Sequence, residues 1–387
     1  MVPETLCASG FAYGGEAFGK LADGRICFFR GGVPGETAEV NVTAAKRNYA
    51  RGEWVRSVGH CQARTVCRCP LAPGGGARIF CPGCSYQQVG YATEMAWKQR
   101  QLSDFIVRGG IAEASVIGEP SPSPSRFGWR NRLKLTRSER GSGFFSEDNR
   151  TVVPVEHCPL AVPAIDAAIA EYKTTGADEL YFRWTAADGV VVNEPHRVMI
   201  EELPGFGVFK VPAGAFFQTN TMVAANLLEE VVSTIGGLGV DRMFELYCGV
   251  GVFSLAAAQR IPHLRCFGIE CDRAAIGNAV RNARERGVDA RCRFRAGDAG
   301  ESKLPGADGA IPDILLVDPP RRGLERTLAE RIKKWRIPYV IYISCAPDTL
   351  ARDLRLLGGV YKLDRCRLYD MFPCTGHFET FAMLSLK

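Results

Sequence analysis

The chain has 387 residues, 46% hydrophobic and 23% charged, the composition of an ordinary folded protein with room for two or three domains. Its 48 Lys and Arg against 42 Asp and Glu leave a net charge of +6, which permits a polyanionic partner without demanding one. No apolar run reaches the roughly 18 to 20 residues needed to span a bilayer, and the opening MVPETLCASGFAYGGEAFGK has neither a basic nor an apolar export stretch, so a soluble, cytoplasmic protein is expected.

Residues 10–58 alternate short apolar runs with glycine turns, the spacing of a small OB-type barrel. Within it KRNYARGEW sets Lys46, Arg47 and Arg51 among Tyr49 and Trp54, as a groove that tracks phosphates and stacks bases would require; a solvated barrel face reads equally well. Residues 61–84 are cysteine-rich and loop-like around PGGGAR, 91–108 have helical spacing, and SPSPSR at 121–126 is a break. FGWRNRLKL and VFKVPAGAFF read as strands on either side of a helical stretch near 161–173. Over the last 150 or so residues strand-like runs (RMFELYC, LRCFGIE, ARCRFRA, DILLVD, YVIYISC) alternate with helical ones, which predicts βαβ units and a mostly parallel, doubly wound sheet. Ligands of such sheets bind at the carboxyl ends of the strands.

The first of these strand–helix junctions is FELYCGVGVFSL. Gly249 and Gly251 suit a tight turn, but Ser254 stands where a dinucleotide fingerprint has its third glycine, so an adenosine without a pyrophosphate fits better. Glu270 ends the second strand, where it would bind ribose hydroxyls, and Asp298 follows the third, where it would accept from an adenine amino group. This order of a glycine turn and strand-end acids is that of S-adenosylmethionine (SAM) methyltransferases. Exposed carboxylates at strand ends are the plain alternative.

The fourth strand ends in DILLVDPPRRGL, whose prolines fix a rigid turn after Asp318. Amino methyltransferases use an acid or amide before two prolines, usually with an aromatic next; here Arg321 and Arg322 follow, better suited to phosphate. The fifth strand delivers Cys345. It reads as a buried core thiol or as a nucleophile, since thiolate addition to C6 of uracil creates the enolate that lets C5 attack a methyl sulfonium. Such a thiol needs a pKa below the free value of about 8.5, and the following helix N-terminus is expected to lower it. A base must then remove the C5 proton, and DMFPCTGHFET offers both His377 and Glu379.

Taken in order, VPAGAFFQTN, ELYCGVGVFSL, GIE, LLVDPPRRGL, YISCAPDTLARDL and DMFPCTGHFET resemble the RNA (uracil-C5)-methyltransferases, the 23S rRNA type in particular, and residues 10–58 resemble their TRAM barrel. The resemblance implies Cys345 as nucleophile and Glu379, rather than His377, as base. It further implies Gln218, Tyr247, Glu270 and Asp318 as SAM contacts, Asp298 on the adenine side and Phe216 as an active-site aromatic. It also implies a [4Fe–4S] cluster on Cys69, Cys81, Cys84 and Cys158, with Cys67 and Cys61 as rivals for the first position. From spacing alone four thiolates suit zinc as well, and fifteen cysteines without an export signal argue against a disulfide framework. Two departures stand out. Eleven residues separate Cys69 from Cys81 where the family has five, and Cys374 replaces a histidine. Added loop length costs little closure entropy, so the insertion is tolerable. No C-x-x-x-C-x-x-C stretch exists, which disfavours radical chemistry at the cluster.

The expected architecture is therefore a class I SAM-dependent methyltransferase: an OB barrel over 1–58, a central iron–sulfur and RNA-binding part over 59–84 and 120–210, and the methyltransferase domain over 85–119 and 211–387. Its expected activity is formation of 5-methyluridine in RNA, 23S rRNA first and tRNA second, by a monomer. The alternatives are an amino methyltransferase acting through the DPP turn, and an RNA-binding protein that keeps only the fold.

Overall fold

The computed structural model describes residues 3–76, 80–146, 148–172, 177–302 and 311–387. The end of the PGGGAR insertion at 77–78 and residue 173, the end of the helical stretch expected at 161–173, lie outside them. The chain divides into two compact units, one of residues 1–101, 125–183 and 372–377, the other of 102–124, 184–371 and 378–387.

In the first unit β1 (Glu4–Phe11), β2 (Ala17–Lys20), β3 (Ile26–Arg30), β4 (Thr37–Ala45) and β5 (Tyr49–Ser57) close into a barrel in the order β1-β2-β3-β5-β4. Alternation drives the closure: β3 buries Cys27 and Phe29 while Ile26, Phe28 and Arg30 stay partly open, and Leu6, Ala8, Val40 and Ala50 fill the same interior. A closed barrel leaves no unpaired edge. Helix α1 (Tyr91–Ser103) buries an i,i+4 ion pair, Lys98 Nζ to Glu94 Oε1 at 2.8 Å, with both residues fully buried. That pair is further satisfied by Arg126, by the Cys374 N–H donating to Glu94 Oε1 (2.7 Å) and by the Phe372 carbonyl accepting from Lys98 (3.2 Å). These bonds explain why α1 and residues 372–377 group with the barrel, although the sequence assigns both to the methyltransferase domain. Strands β6 (Arg132–Ser138), β7 (Gly141–Phe145), β8 (Val152–Pro154) and β9 (Glu179–Thr185) lie in the order β9-β6-β7-β8, and helix α2 (Pro163–Glu171) starts on a proline that suits its first turn.

The second unit holds β10 (Gly189–Val192), a hairpin of β11 (Val198–Leu203) and β12 (Gly207–Pro212), and α3 (Thr221–Leu238), capped by the Asn220 side chain accepting from Val223 N–H. Alternation then produces the predicted βαβ units. They comprise β13 (Arg242–Leu246), α4 (Val252–Arg260), β14 (Arg265–Glu270), α5 (Arg273–Glu285), β15 (Cys292–Ala296), β16 (Ile314–Val317), α6 (Arg326–Trp335), β17 (Tyr339–Ser344) and α7 (Pro347–Leu357). The closing pair is β18 (Tyr361–Tyr369) and β19 (Glu379–Leu386). The sheet runs β15-β14-β13-β16-β17-β19-β18, parallel through β17, with β19 antiparallel to β17 and β18. Every residue of β16, Ile-Leu-Leu-Val, is buried, as a strand covered on both faces requires. Strand order reverses between β13 and β16, so the crevice for a ligand opens at their carboxyl ends. Among the described residues no helix is long and apolar enough to cross a membrane.

Candidate active site

The turn after β13 is built by glycine and acid. A Cβ on Gly251, whose φ is +83°, would sit 2.7 Å from the Phe294 ring, and the Gly249 N–H donates to Glu270 Oε2 (3.2 Å). Glu270 thus already faces the turn from the end of β14. Ser254, read from sequence as a missing glycine, instead anchors a buried acid, because its N–H (3.1 Å) and hydroxyl both donate to Glu245 Oε2. Glu245 is fully buried and its other oxygen has no partner among the described residues. Burial pushes its carboxyl up to about 8, the Ser254 bonds pull it down, and the charges of Asp318 and Glu270 push it further up. From the sequence it is only the acid that precedes the glycine turn, with no role of its own.

Gln218, Tyr247 and Asp318 line one cleft, together with Phe216, Cys248, Gly249 and Phe253. Tyr247 sits at the carboxyl end of β13 with φ +65°, Asp318 at that of β16. On the connector from β12 to α3, Ala215 and Phe217 are buried while Phe216 between them is 64% exposed, so alternation anchors the segment and presents Phe216 and Gln218. Asp298 follows β15, but it is exposed and its Oδ1 caps the 3-10 turn Ala299–Glu301 by accepting from Gly300 N–H (2.7 Å). Its charge is felt at Tyr247, yet it is not among the residues lining the cleft.

Cys345 is half-buried and follows β17 directly. The Ser344 hydroxyl accepts from Ala346 N–H (3.2 Å) and donates to Ala346 O (3.1 Å), fixing the turn, and Pro347 opens α7. Strand β19 starts with Glu379 because it runs opposite to β17: Thr380 pairs with Ser344, which brings Glu379 to the same edge of the sheet as Cys345. Glu379 is 4% exposed and its Oε2 has no hydrogen-bond partner among the described residues. Burial, then the Asp318 charge, raise its carboxyl well above the ordinary range, and Arg321 opposes them. Burial likewise pushes Asp318 up to about 7, with Glu270 adding to it. The expected lowering of the Cys345 thiol is corrected by the structure. Burial, Glu379 and Asp318 push it up to about 12, and only Arg321 and a backbone hydrogen bond pull the other way. Burial and two neighbouring acids hold the proton on the thiol, and a positive charge placed beside them would oppose that effect.

In the first unit Cys69, Cys81, Cys84 and Cys158 are buried free thiols whose charges act on one another. The Gly83 N–H donates to Cys81 Sγ (3.4 Å) and the Gln87 amide to Cys84 Sγ (3.1 Å). Cys67 points to the Pro73 carbonyl and Cys61 packs on the barrel core, which leaves Cys69 with the other three. Among the described residues no three His, Cys, Asp or Glu side chains converge on a point where one metal ion would sit. On the barrel, Tyr49 is 39% exposed, but Trp54 packs against the core with the Arg64 guanidinium 4.4 Å above its ring and is not an open stacking face.

A seven-stranded sheet in this order, with its crevice at the β13–β16 switch, an acid facing a glycine turn and an N-terminal closed barrel, defines a SAM-dependent methyltransferase fold carrying an OB-type module. Residues 204–296 and 310–387 match the family model described as tRNA (Uracil-5-)-methyltransferase, and residues 9–55 match the TRAM domain. These residues carry the domains found in RNA uracil-C5 methyltransferases, and the relatives below are named as RNA methyltransferases. It is 29% identical to an uncharacterized RNA methyltransferase of Thermosynechococcus vestitus, the match covering 96% of this chain and 95% of that one. It is 28% identical to the 23S rRNA (uracil(1939)-C(5))-methyltransferase RlmD of Methylococcus capsulatus, over 96% and 95% of the two chains. In fold it is similar to the crystal structure of Pyrococcus abyssi tRNA (uracil-54, C5)-methyltransferase in complex with S-adenosyl-L-homocysteine, with a TM-score of 0.75, 23% identity, and coverage of 98% and 99%.

Proposed function

We propose that the chain converts a uridine of 23S rRNA to 5-methyluridine, with Cys345 as nucleophile and Glu379 as base. The observation that carries this reading is the convergence of a half-buried thiol and an unpaired buried carboxyl at the strand edge beside the Asp318 cleft. The Cys345 sulfur, once deprotonated, adds to C6, and the resulting C5 enolate takes the methyl group of SAM, releasing S-adenosylhomocysteine. Glu379 then removes the C5 proton, and the ring expels the sulfur. A carboxylate with no competing hydrogen bond on Oε2 and a raised pKa is suited to that proton. Gln218, Tyr247, Glu270 and Asp318 would hold the methyl donor, whose positive charge offsets the acids that keep the thiol protonated. Asp298 is the weakest of the proposed contacts, since its carboxylate already serves a turn.

Cys69, Cys81, Cys84 and Cys158 fit a [4Fe–4S] cluster better than a single ion. Each thiolate of a cubane binds its own iron at a corner, and buried thiols receiving N–H donors, as Cys81 and Cys84 do, are what such a cluster needs. The cluster would tie the 69–84 loop to the segment carrying Cys158, and no catalytic step runs through it. The rRNA assignment draws on the relative from Methylococcus capsulatus. Its test is methyl transfer to fragments of 23S rRNA and to tRNA transcripts, with the modified nucleoside mapped. 5-Methyluridine in the rRNA fragment alone is expected, methylation of tRNA alone would move the substrate, and methylation of an exocyclic amine would replace the reaction.

A further inference from the structure

We propose that Thr349, Arg352 and Asp353, on the helix that follows the nucleophile, are positioning residues that clamp the Asp318–Leu324 turn and so hold Arg321 toward Cys345. The inference rests on the Cys345 reading above. Arg321 is exposed, and its side chain has no hydrogen-bond or ion-pair partner among the described residues, so what the fold fixes is the backbone from which it reaches out. That backbone is held at four successive points. The Thr349 hydroxyl lies 3.1 Å from Arg321 O and 3.0 Å from Ala346 O, bridging the turn to the residue after the nucleophile. Arg352 Nη2 donates to Arg322 O (2.8 Å) and to Leu324 O (3.2 Å). The Leu324 N–H donates to Asp353 Oδ2 (2.7 Å).

Asp353 is fully buried, and the bonds around it leave it no freedom: the Tyr342 hydroxyl donates to Oδ2 (2.7 Å), while Arg352 donates twice to Oδ1 (2.9 and 2.7 Å). Tyr342 lies within β17, three residues before Cys345, so the anchor of the clamp is the strand that carries the nucleophile. The turn fits its seat closely. A Cβ on Gly323, where φ is +71°, would meet Arg352 Nη2 at 2.6 Å and would also collide with Asp353. Together these contacts give the Asp318 turn one fixed register against α7, and they account for a run, TLARD, that the catalytic roles leave unused.

Arg321 is the charged side chain that works against the acids around the thiol, and its charge reaches both Cys345 and Glu379. The test reads that charge directly, by alkylating the full-length protein with iodoacetamide across alkaline buffers and following the Cys345 peptide by mass spectrometry. Arg321→Ala is expected to move the pH midpoint of Cys345 alkylation upward, by half a unit or more, which is about threefold in rate below the midpoint. Thr349→Val should move it in the same direction, and Thr349→Ser, which keeps the hydroxyl, should not. Arg352→Lys is read the same way should Thr349→Val fail to fold, with SAM binding as the check of folding. The clamp is refuted if Arg321→Ala shifts the midpoint and the folded clamp variants do not, or if Arg321→Ala itself leaves it in place. Neither result touches the proposed reaction, which is judged separately by whether Cys345→Ala still methylates RNA.

Discussion

Cysteine stands in two settings in this chain, and they differ in what holds the sulfur. Cys345 ends a buried parallel strand, and its turn is fixed by Ser344 and Pro347 without help from any ligand. Three of the four loop-region thiols, Cys69, Cys81 and Cys84, belong to a stretch that forms no helix or strand among its described residues, held by single contacts such as Gln87 to Cys84. Regular structure preorganises the first site, whereas the second, on the proposed reading, would depend on the cluster it binds. The comparison predicts that damage to one will not resemble damage to the other.

The largest effect should follow loss of the nucleophile. Cys345→Ala is expected to lower turnover by more than about 10⁴-fold while SAM binding, measured by calorimetry, stays intact. Glu379→Gln should lower turnover by about 10²- to 10⁴-fold, and because the addition step survives, a denaturation-resistant protein–RNA adduct should appear on gels. Free RNA alone in that lane would remove Glu379 from the role. Cys84→Ser should do the opposite of Cys345→Ala: the first unit becomes sensitive to limited proteolysis and loses the iron and sulfide of the proposed cluster, while SAM still binds in the second.

Protonation sharpens the contrast further. The Glu245 carboxyl is raised from its ordinary value to about 8 in the folded chain, so between those values the folded state binds the extra proton. Its stability contribution is complete below the ordinary carboxylate range and is lost as pH rises through about 8. Glu245→Gln should remove that slope, flattening the melting temperature against pH, with a difference on the order of 5 kcal/mol across the window. The smallest effect is on the barrel, where Tyr49→Ala should weaken RNA binding by about 1–3 kcal/mol if its ring stacks a base. Trp54→Ala, with its ring packed on the core, should reduce stability more than affinity.

Legibility from sequence follows the same division. The parallel sheet, its glycine turn and the acids ending β14 and β16 were readable because period and strand-end position are local properties of the chain. The barrel was readable for the same reason. The thiol's elevated pKa was not, because it depends first on burial and then on Glu379 and Asp318, residues 34 and 27 positions away in the sequence, folding around Cys345. Nor was the grouping of residues 372–377 with α1, which rests on Glu94 and Lys98 meeting backbone groups nearly 280 residues away. Trp54 looked like a stacking face because nothing local reveals that Arg64 covers it.

The most direct test is to incubate the protein and SAM with a 23S rRNA fragment containing 5-fluorouridine and sequence the trapped peptide. Fluorine at C5 blocks proton removal, so a methylated fluorouridine bonded through C6 to Cys345 is the expected product. An unmodified Cys345, or a bond to any other residue, would contradict covalent catalysis at this strand edge.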